Sequence, residues 1–280
     1  MSALGPQADD LRSWIGREEQ AQGTVTPALV KRYRATMDQP VGDTGNGAIA
    51  PRMIHWCLMP AIAPTNVLGP DGHAPRGEFM PPVQLPRRMW AGGKLVFFDD
   101  LRIGELATRT SRIAEVALKE GRTGPLCFVT VHHTILVNGV RRIFEVQDIV
   151  FRGTESGNIL EQSPAAPGTH GREVVPTTTL LFRYSGLTFN GHRIHYDRDY
   201  AMQTEGYPGL VVHGPLQAAL LYDFATCLGE RPPARFVFRS ASPLFDTENF
   251  YLNAEPQGDL VRLWTARKNG PAAMTAEASW

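Results

Sequence analysis

The chain has 280 residues, 42% of them apolar and 20% charged, with 28 Lys+Arg matched by 28 Asp+Glu. That is apolar material for about two packed domains of roughly 150 residues each. A net charge of zero without a basic block offers no field for nucleic acid or an anionic membrane, so neither is expected as a partner. The three cysteines, Cys57, Cys127 and Cys227, form no Cys-x-x-Cys pair and read as buried reduced thiols of a cytoplasmic protein. Asp9, Asp10, Glu18 and Glu19 speak against a signal peptide. The longest apolar run, residues 209–224, is broken by His213, Pro215, Gln217 and Asp223, so no membrane span is expected.

Residues 25–37 read as a short helix, with Thr24 or Thr26 as cap and Pro27 in the first turn. Residues 42–86 are rich in Gly and Pro and read as loop around a short apolar element at 54–58. Strands are expected from Lys94 onward. Residues 126–137 and 140–151 are β-branched runs separated by Asn138-Gly139, a strong hairpin signal. Residues 155–172 are small and polar, with two prolines and three glycines, and read as a linker between domains at 1–154 and 173–280.

Beyond it, residues 174–184 read as strand and 196–203 as a short helix that Asp197 caps. Residues 215–228 read as a longer helix, and 236–252 and 260–280 are again strand-rich around a turn at Lys268-Asn269-Gly270-Pro271. Both halves place long hairpins after a Gly/Pro-rich, helix-containing section, the pattern of a diverged duplication. On the 215–228 helix, Leu216, Ala219, Leu220, Phe224 and Cys227 share one side. Ala218, Leu221, Ala225 and Leu228 occupy the other, so the helix is expected to be buried nearly all round. A sheet curled around one such helix is the hot-dog arrangement. Two halves make an α+β double hot dog, as two antiparallel sheets or one continuous curved sheet.

Two segments of the second half carry the chemistry: Phe189-Asn190-Gly191-His192-Arg193-Ile194-His195-Tyr196-Asp197, and Gly209-Leu210-Val211-Val212-His213-Gly214-Pro215-Leu216. In this order and separation they resemble the active-site region of MaoC-type enoyl-thioester hydratases. The likeness is greatest to the double hot-dog branch that holds type 2 hydroxyacyl-thioester dehydratases and mesaconyl-CoA hydratases. Arg87-Arg88-Met89-Trp90-Ala91-Gly92-Gly93, Gln147-Asp148-Ile149-Val150, Leu181-Phe182-Arg183-Tyr184-Ser185 and Ala273-Met274-Thr275-Ala276 extend it over most of the chain.

The resemblance implies a hydro-lyase acting on an enoyl or 3-hydroxyacyl thioester of CoA or acyl carrier protein, with no cofactor or metal of its own. It makes His195 the catalytic histidine and Gly214 an N–H donor to the thioester oxygen. Where the wider family has an acid, five residues before the histidine, this chain has Asn190, which orients water but cannot exchange a proton at useful pH. His213, Arg193 and Arg183 are the further candidates for substrate binding, the arginines for a substrate carboxylate or CoA phosphate. Asp223 is weighed as a replacement acid and reads more readily as a structural hydrogen-bonding group. The first half is expected to shape the acyl or CoA channel without chemistry of its own. A hot-dog thioesterase and a non-catalytic thioester-binding protein remain as alternatives, and both a monomer and a homodimer fit.

Overall fold

The computed structural model of the protein describes residues 10–121, 124–153 and 163–280. Ten strands form one continuous antiparallel sheet. In the first half these are β1 (Glu18–Thr24), β2 (Arg87–Phe97), β3 (Leu106–Gly121), β4 (Gly124–Val137) and β5 (Val140–Arg152). In the second they are β6 (His170–Val174), β7 (Arg235–Ser240), β8 (Phe250–Gln257), β9 (Leu260–Arg267) and β10 (Ala272–Ser279). Their order is β1-β3-β4-β5-β2-β7-β10-β9-β8-β6. Read outward from the centre, each half repeats one order, and the halves join where β2 pairs with β7 from Gly92↔Arg239 to Val96↔Arg235. This is the double hot dog in its continuous-sheet form.

The α-helices with bounds among the described residues are α1 (Pro27–Thr36), α2 (Thr178–Thr188) and α3 (Gly214–Leu228). The α3 helix is buried on most sides, by Leu216, Ala218, Ala219, Leu220, Leu221, Tyr222, Phe224 and Ala225, and the sheet of the second half wraps it. In the first half the corresponding stretch between α1 and β2 forms only single 3-10 turns, Ile54–Cys57 and Thr65–Val67, and then loop. Where one half is filled by a helix, the other keeps room for a ligand. No helix among the described residues is long and apolar enough to cross a membrane.

Local signals explain most elements. Thr26 Oγ1 accepts the Leu29 N–H and opens α1. Asn138 and Gly139 both take positive φ, 49° and 78°, as a two-residue hairpin of right-twisted strands requires.

Three expectations need correction. Residues 174–184 are not strand: β6 ends at Val174 and α2 begins at Thr178, because Thr177 Oγ1 accepts the Leu180 N–H and starts a helix. The β-branched threonines that suggested a strand are its cap and first turn. Strand structure begins before Lys94: β1, Glu18–Thr24, lies ahead of the expected strand region, and β2 starts at Arg87, with a bulge between Trp90 and Gly92. Cys57 and Cys127 are buried free thiols, but Cys227 is exposed. The first part of the expected linker, 155–162, lies outside the described residues, as does Asp9, and its last residues, His170 to Arg172, belong to β6.

Candidate active site

Phe189 ends α2 in the left-handed region, φ 51°, and turns the chain into a tight loop. The Asn190 N–H donates to Ser185 C=O at 2.9 Å, and Asn190 Oδ1 accepts the His192 N–H at 3.0 Å. The loop ends in a 3-10 turn, Arg193–His195, and the expected Asp197 cap accepts the Tyr200 N–H of a following π-turn, Tyr200–Thr204. Val211, on the segment leading into α3, donates its N–H to Ile194 C=O at 2.9 Å. Two segments far apart in sequence are thereby joined.

At that junction His195 Nδ1 lies 2.7 Å from Val211 C=O. A carbonyl only accepts, so Nδ1 carries the hydrogen and Nε2 holds the lone pair. The ring stacks on His213, centroids 3.7 Å apart, and meets His192 edge-on at 5.4 Å. Burial pushes the His195 pKa down to about 4; the Val211 hydrogen bond opposes this and His73 adds to it. At neutral pH the imidazole is uncharged and able to accept a proton.

His213 is 1% exposed, its Nε2 is 2.8 Å from Ser185 Oγ, and it backs the His195 ring and does not line the cavity beside the junction. That corrects its expected place among the binding residues. Gly214 opens α3, and the first bond of the helix runs from Gln217 N–H to His213 C=O at 3.1 Å. The Gly214 N–H is thus one of the donors a helix leaves unpaired, and Pro215 has none.

Beside this junction is a cavity of about 640 Å³. Tyr184, Ser185, Asn190, Gly191, Tyr196 and Pro215 from the second half form one side. His55, Trp56, His73, Arg88, Trp90, Arg109, His133 and Glu145 from the first half form another. His195 is not part of this wall and is 7% exposed. Deep in the first half, Glu145 accepts the Trp56 indole N–H at 2.9 Å and lies 3.4 Å from His55 Nε2.

The loop before β2 reaches across to the catalytic loop. Arg193 donates its N–H to Asp71 C=O at 2.9 Å and a guanidinium N–H to Pro70 C=O at 3.0 Å. Gly72, at φ 86°, lies so close to Gly191 that a Cβ would collide with the Gly191 carbonyl. This contact carries His73 into the cavity, its ring 4.2 Å from that of His192. Asp71 accepts from the His73 backbone N–H at 3.0 Å and from its ring Nδ1 at 2.9 Å. Asp71, His73 and His192 hold ligand atoms within 4.8 Å of one another, the spacing of a metal site. Both Asp71 oxygens already accept from His73, so the set is a hydrogen-bonded pair beside a third ring.

Of the arginines expected to meet an anion, Arg193 is committed to Asp197, at 2.8 and 3.0 Å, and to Pro70. Arg183 is exposed on α2 and does not face the cavity. Arg88 does face it, and among the described residues its side chain makes no hydrogen bond and no ion pair. Sequence reasoning missed it, though it lies in the Arg87–Gly93 segment that carries the resemblance. Asp223 accepts from Gln39 at 2.8 Å and Arg172 at 3.0 Å, a structural role.

A family model described as hydroxyacyl-thioester dehydratase type 2 matches residues 53–246, from the cavity wall through the catalytic loop and α3. The chain belongs to that family. Mesaconyl-C(4)-CoA hydratase of Chloroflexus aurantiacus is 44% identical over 270 residues, spanning 95% of this chain and 96% of the relative. The mitochondrial type 2 dehydratase of Schizosaccharomyces pombe is 25% identical over 236 residues, 74% of this chain and 78% of its own. A MaoC-like dehydratase from Phytophthora capsici shares the fold with TM-score 0.71 at 15% identity, covering 98% of this chain and 97% of that one. A double-hot-dog protein of Mycobacterium tuberculosis does so with TM-score 0.62 at 11% identity, over 97% and 96%. This type 2 dehydratase is an enzyme, a hydro-lyase that adds water to or removes it from an acyl thioester.

Proposed function

We propose that the enzyme hydrates, reversibly, the CoA thioester of a short unsaturated acid bearing a second carboxylate, as in the mesaconyl-C(4) group of its relative's name. The observation that carries this reading is Arg88, an unpaired guanidinium on the wall of the cavity that adjoins the catalytic loop. An arginine without a partner calls for an anion, and the guanidinium fork suits a carboxylate. In such a substrate the carboxylate sits on the carbon that water attacks, so its anchor must stand beside the water. Arg88 and His73 line the same cavity as Asn190. The phosphates of CoA hang at the far end of the pantetheine arm.

His195 takes a proton from water through Nε2. Asn190 orients that water with its two amide hydrogens and the lone pair its Oδ1 retains. The oxygen attacks the β-carbon, and negative charge collects on the thioester oxygen. There the Gly214 N–H and the positive end of α3 stabilise it. The chemistry draws on side chains and backbone amides in the cytoplasm, with no cofactor beyond the CoA of the substrate.

Arg88→Met is expected to lower kcat/KM for mesaconyl-C(4)-CoA about thirtyfold, ~2 kcal/mol for a desolvated charge pair. Crotonyl-CoA, with the same carrier and no carboxylate, should change less than about threefold. Equal losses on both would place a CoA phosphate at Arg88 and overturn the acyl-carboxylate reading.

The pH profile tests the protonation state. A base must be neutral to act, and burial has pushed His195 down to about 4. The acidic limb of free-enzyme kcat/KM should therefore lie at about pH 4. Asn190→Asp sets a carboxylate near the imidazole, favours the charged ring and should move that limb to higher pH. Asn190→Ala should leave the limb in place and cost about ten- to a hundredfold in rate. A limb that survives replacement of His195 contradicts the assignment.

A further inference from the structure

Hydration requires two proton movements, one off water and one onto the α-carbon. In the catalytic loop the position of the family acid is Asn190, which cannot donate a proton as an acid would. The first half supplies another group. His73 lines the cavity, its side chain is 21% exposed, and Asp71 holds it through Nδ1, which leaves Nε2 as the nitrogen free of that bond. The clasp between Gly72 and Gly191, and the Arg193 bonds to Asp71 and Pro70, fix its loop against the catalytic loop.

We propose that His73, oriented by Asp71, is the group that gives the α-carbon its proton, so that each half of the double hot dog contributes one histidine. The proposal rests on the hydration reading above. In the hydration direction the cycle starts with His73 as an imidazolium on Asp71 and His195 neutral. A water O–H bond breaks and its proton goes to His195 Nε2. The C–O bond forms at the β-carbon as the π pair moves into the thioester enolate. The enolate then takes the His73 Nε2 proton to form the α-C–H bond. His195 ends with the proton that His73 has lost, and the proton returns to His73 by way of solvent.

The groups facing His73 are Asp71 on its own loop, Arg76 and Arg88 on either side of the step into β2, and His192 from the catalytic loop. Burial lowers the His73 pKa, the Asp71 bond opposes this, and Arg88 and Arg76 lower it further. A substrate carboxylate on Arg88 neutralises one of those cations and favours the imidazolium when it is needed.

Wild type, His73→Gln and Asp71→Asn are compared on mesaconyl-C(4)-CoA and crotonyl-CoA, with circular dichroism of each. His73→Gln should lower kcat ten- to a hundredfold with KM changed less than about threefold, and should lose the basic limb of kcat while the acidic limb remains. Asp71→Asn removes the charge that favours the imidazolium. The acid must be protonated to act, so the basic limb should move to lower pH. A folded His73→Gln enzyme that keeps more than a third of kcat, loses only in KM, or retains the basic limb overturns the proposal. A wild type inactive on both thioesters overturns the hydration reading itself.

Discussion

Replacing His195 with alanine should lower kcat roughly a hundredfold or more, while affinity for a saturated acyl-CoA changes little. The loss is expected to be large because, among the described residues, the two rings in contact with His195, those of His213 and His192, are poor proton acceptors. His213 is 1% exposed against Ser185, and burial with the nearby His73 and His195 pushes His192 down to about 2. Affinity is expected to survive because His195 is 7% exposed and is not among the residues that line the cavity. Initial rates and butyryl-CoA titration of the folded variant measure both quantities. Retention of more than about a tenth of kcat would remove His195 from the chemistry.

Replacing Gly214 with proline should cost kcat about ten- to a thousandfold and KM much less. The N–H it removes matters more to the enolate than to the ground-state carbonyl. The backbone can accept the change: His213 has φ −55° and ψ 134°, the extended region that a residue before proline prefers. Gly214→Ala is the control, since it keeps the N–H. Its Cβ would lie 3.2 Å from Trp90 Cε3, a contact that a small ring shift relieves. An active Gly214→Ala beside a crippled, folded Gly214→Pro assigns the loss to the N–H. Unchanged kcat in the proline variant would exclude it as the oxyanion donor.

The features legible in the sequence are those set by neighbours along the chain. Asn138-Gly139 makes its hairpin by local backbone preference, and the all-round apolar pattern of α3 marks it as the buried helix. His195 stood out because its loop and the α3 start are compact segments. Residues 174–184 misled because threonines favour strands by side-chain shape, yet a single Thr177 hydroxyl on the Leu180 N–H starts a helix. Arg193 reads in the sequence as an anion binder and Asp197 as a cap, and their pairing across four residues, seen only in the structure, takes Arg193 out of anion binding. Arg88 is defined by lacking a partner, which no local pattern encodes. Asp71, Gly72 and His73 look like ordinary loop residues until the fold sets Gly72 against Gly191, about 120 positions away.

The most direct test mixes the enzyme with mesaconyl-C(4)-CoA and follows the absorbance of the conjugated thioester, free thiol and product mass together. Hydration predicts falling absorbance, no thiol, and a product heavier by one water. Thiol released in step with the absorbance loss, or no turnover of this thioester, would contradict it.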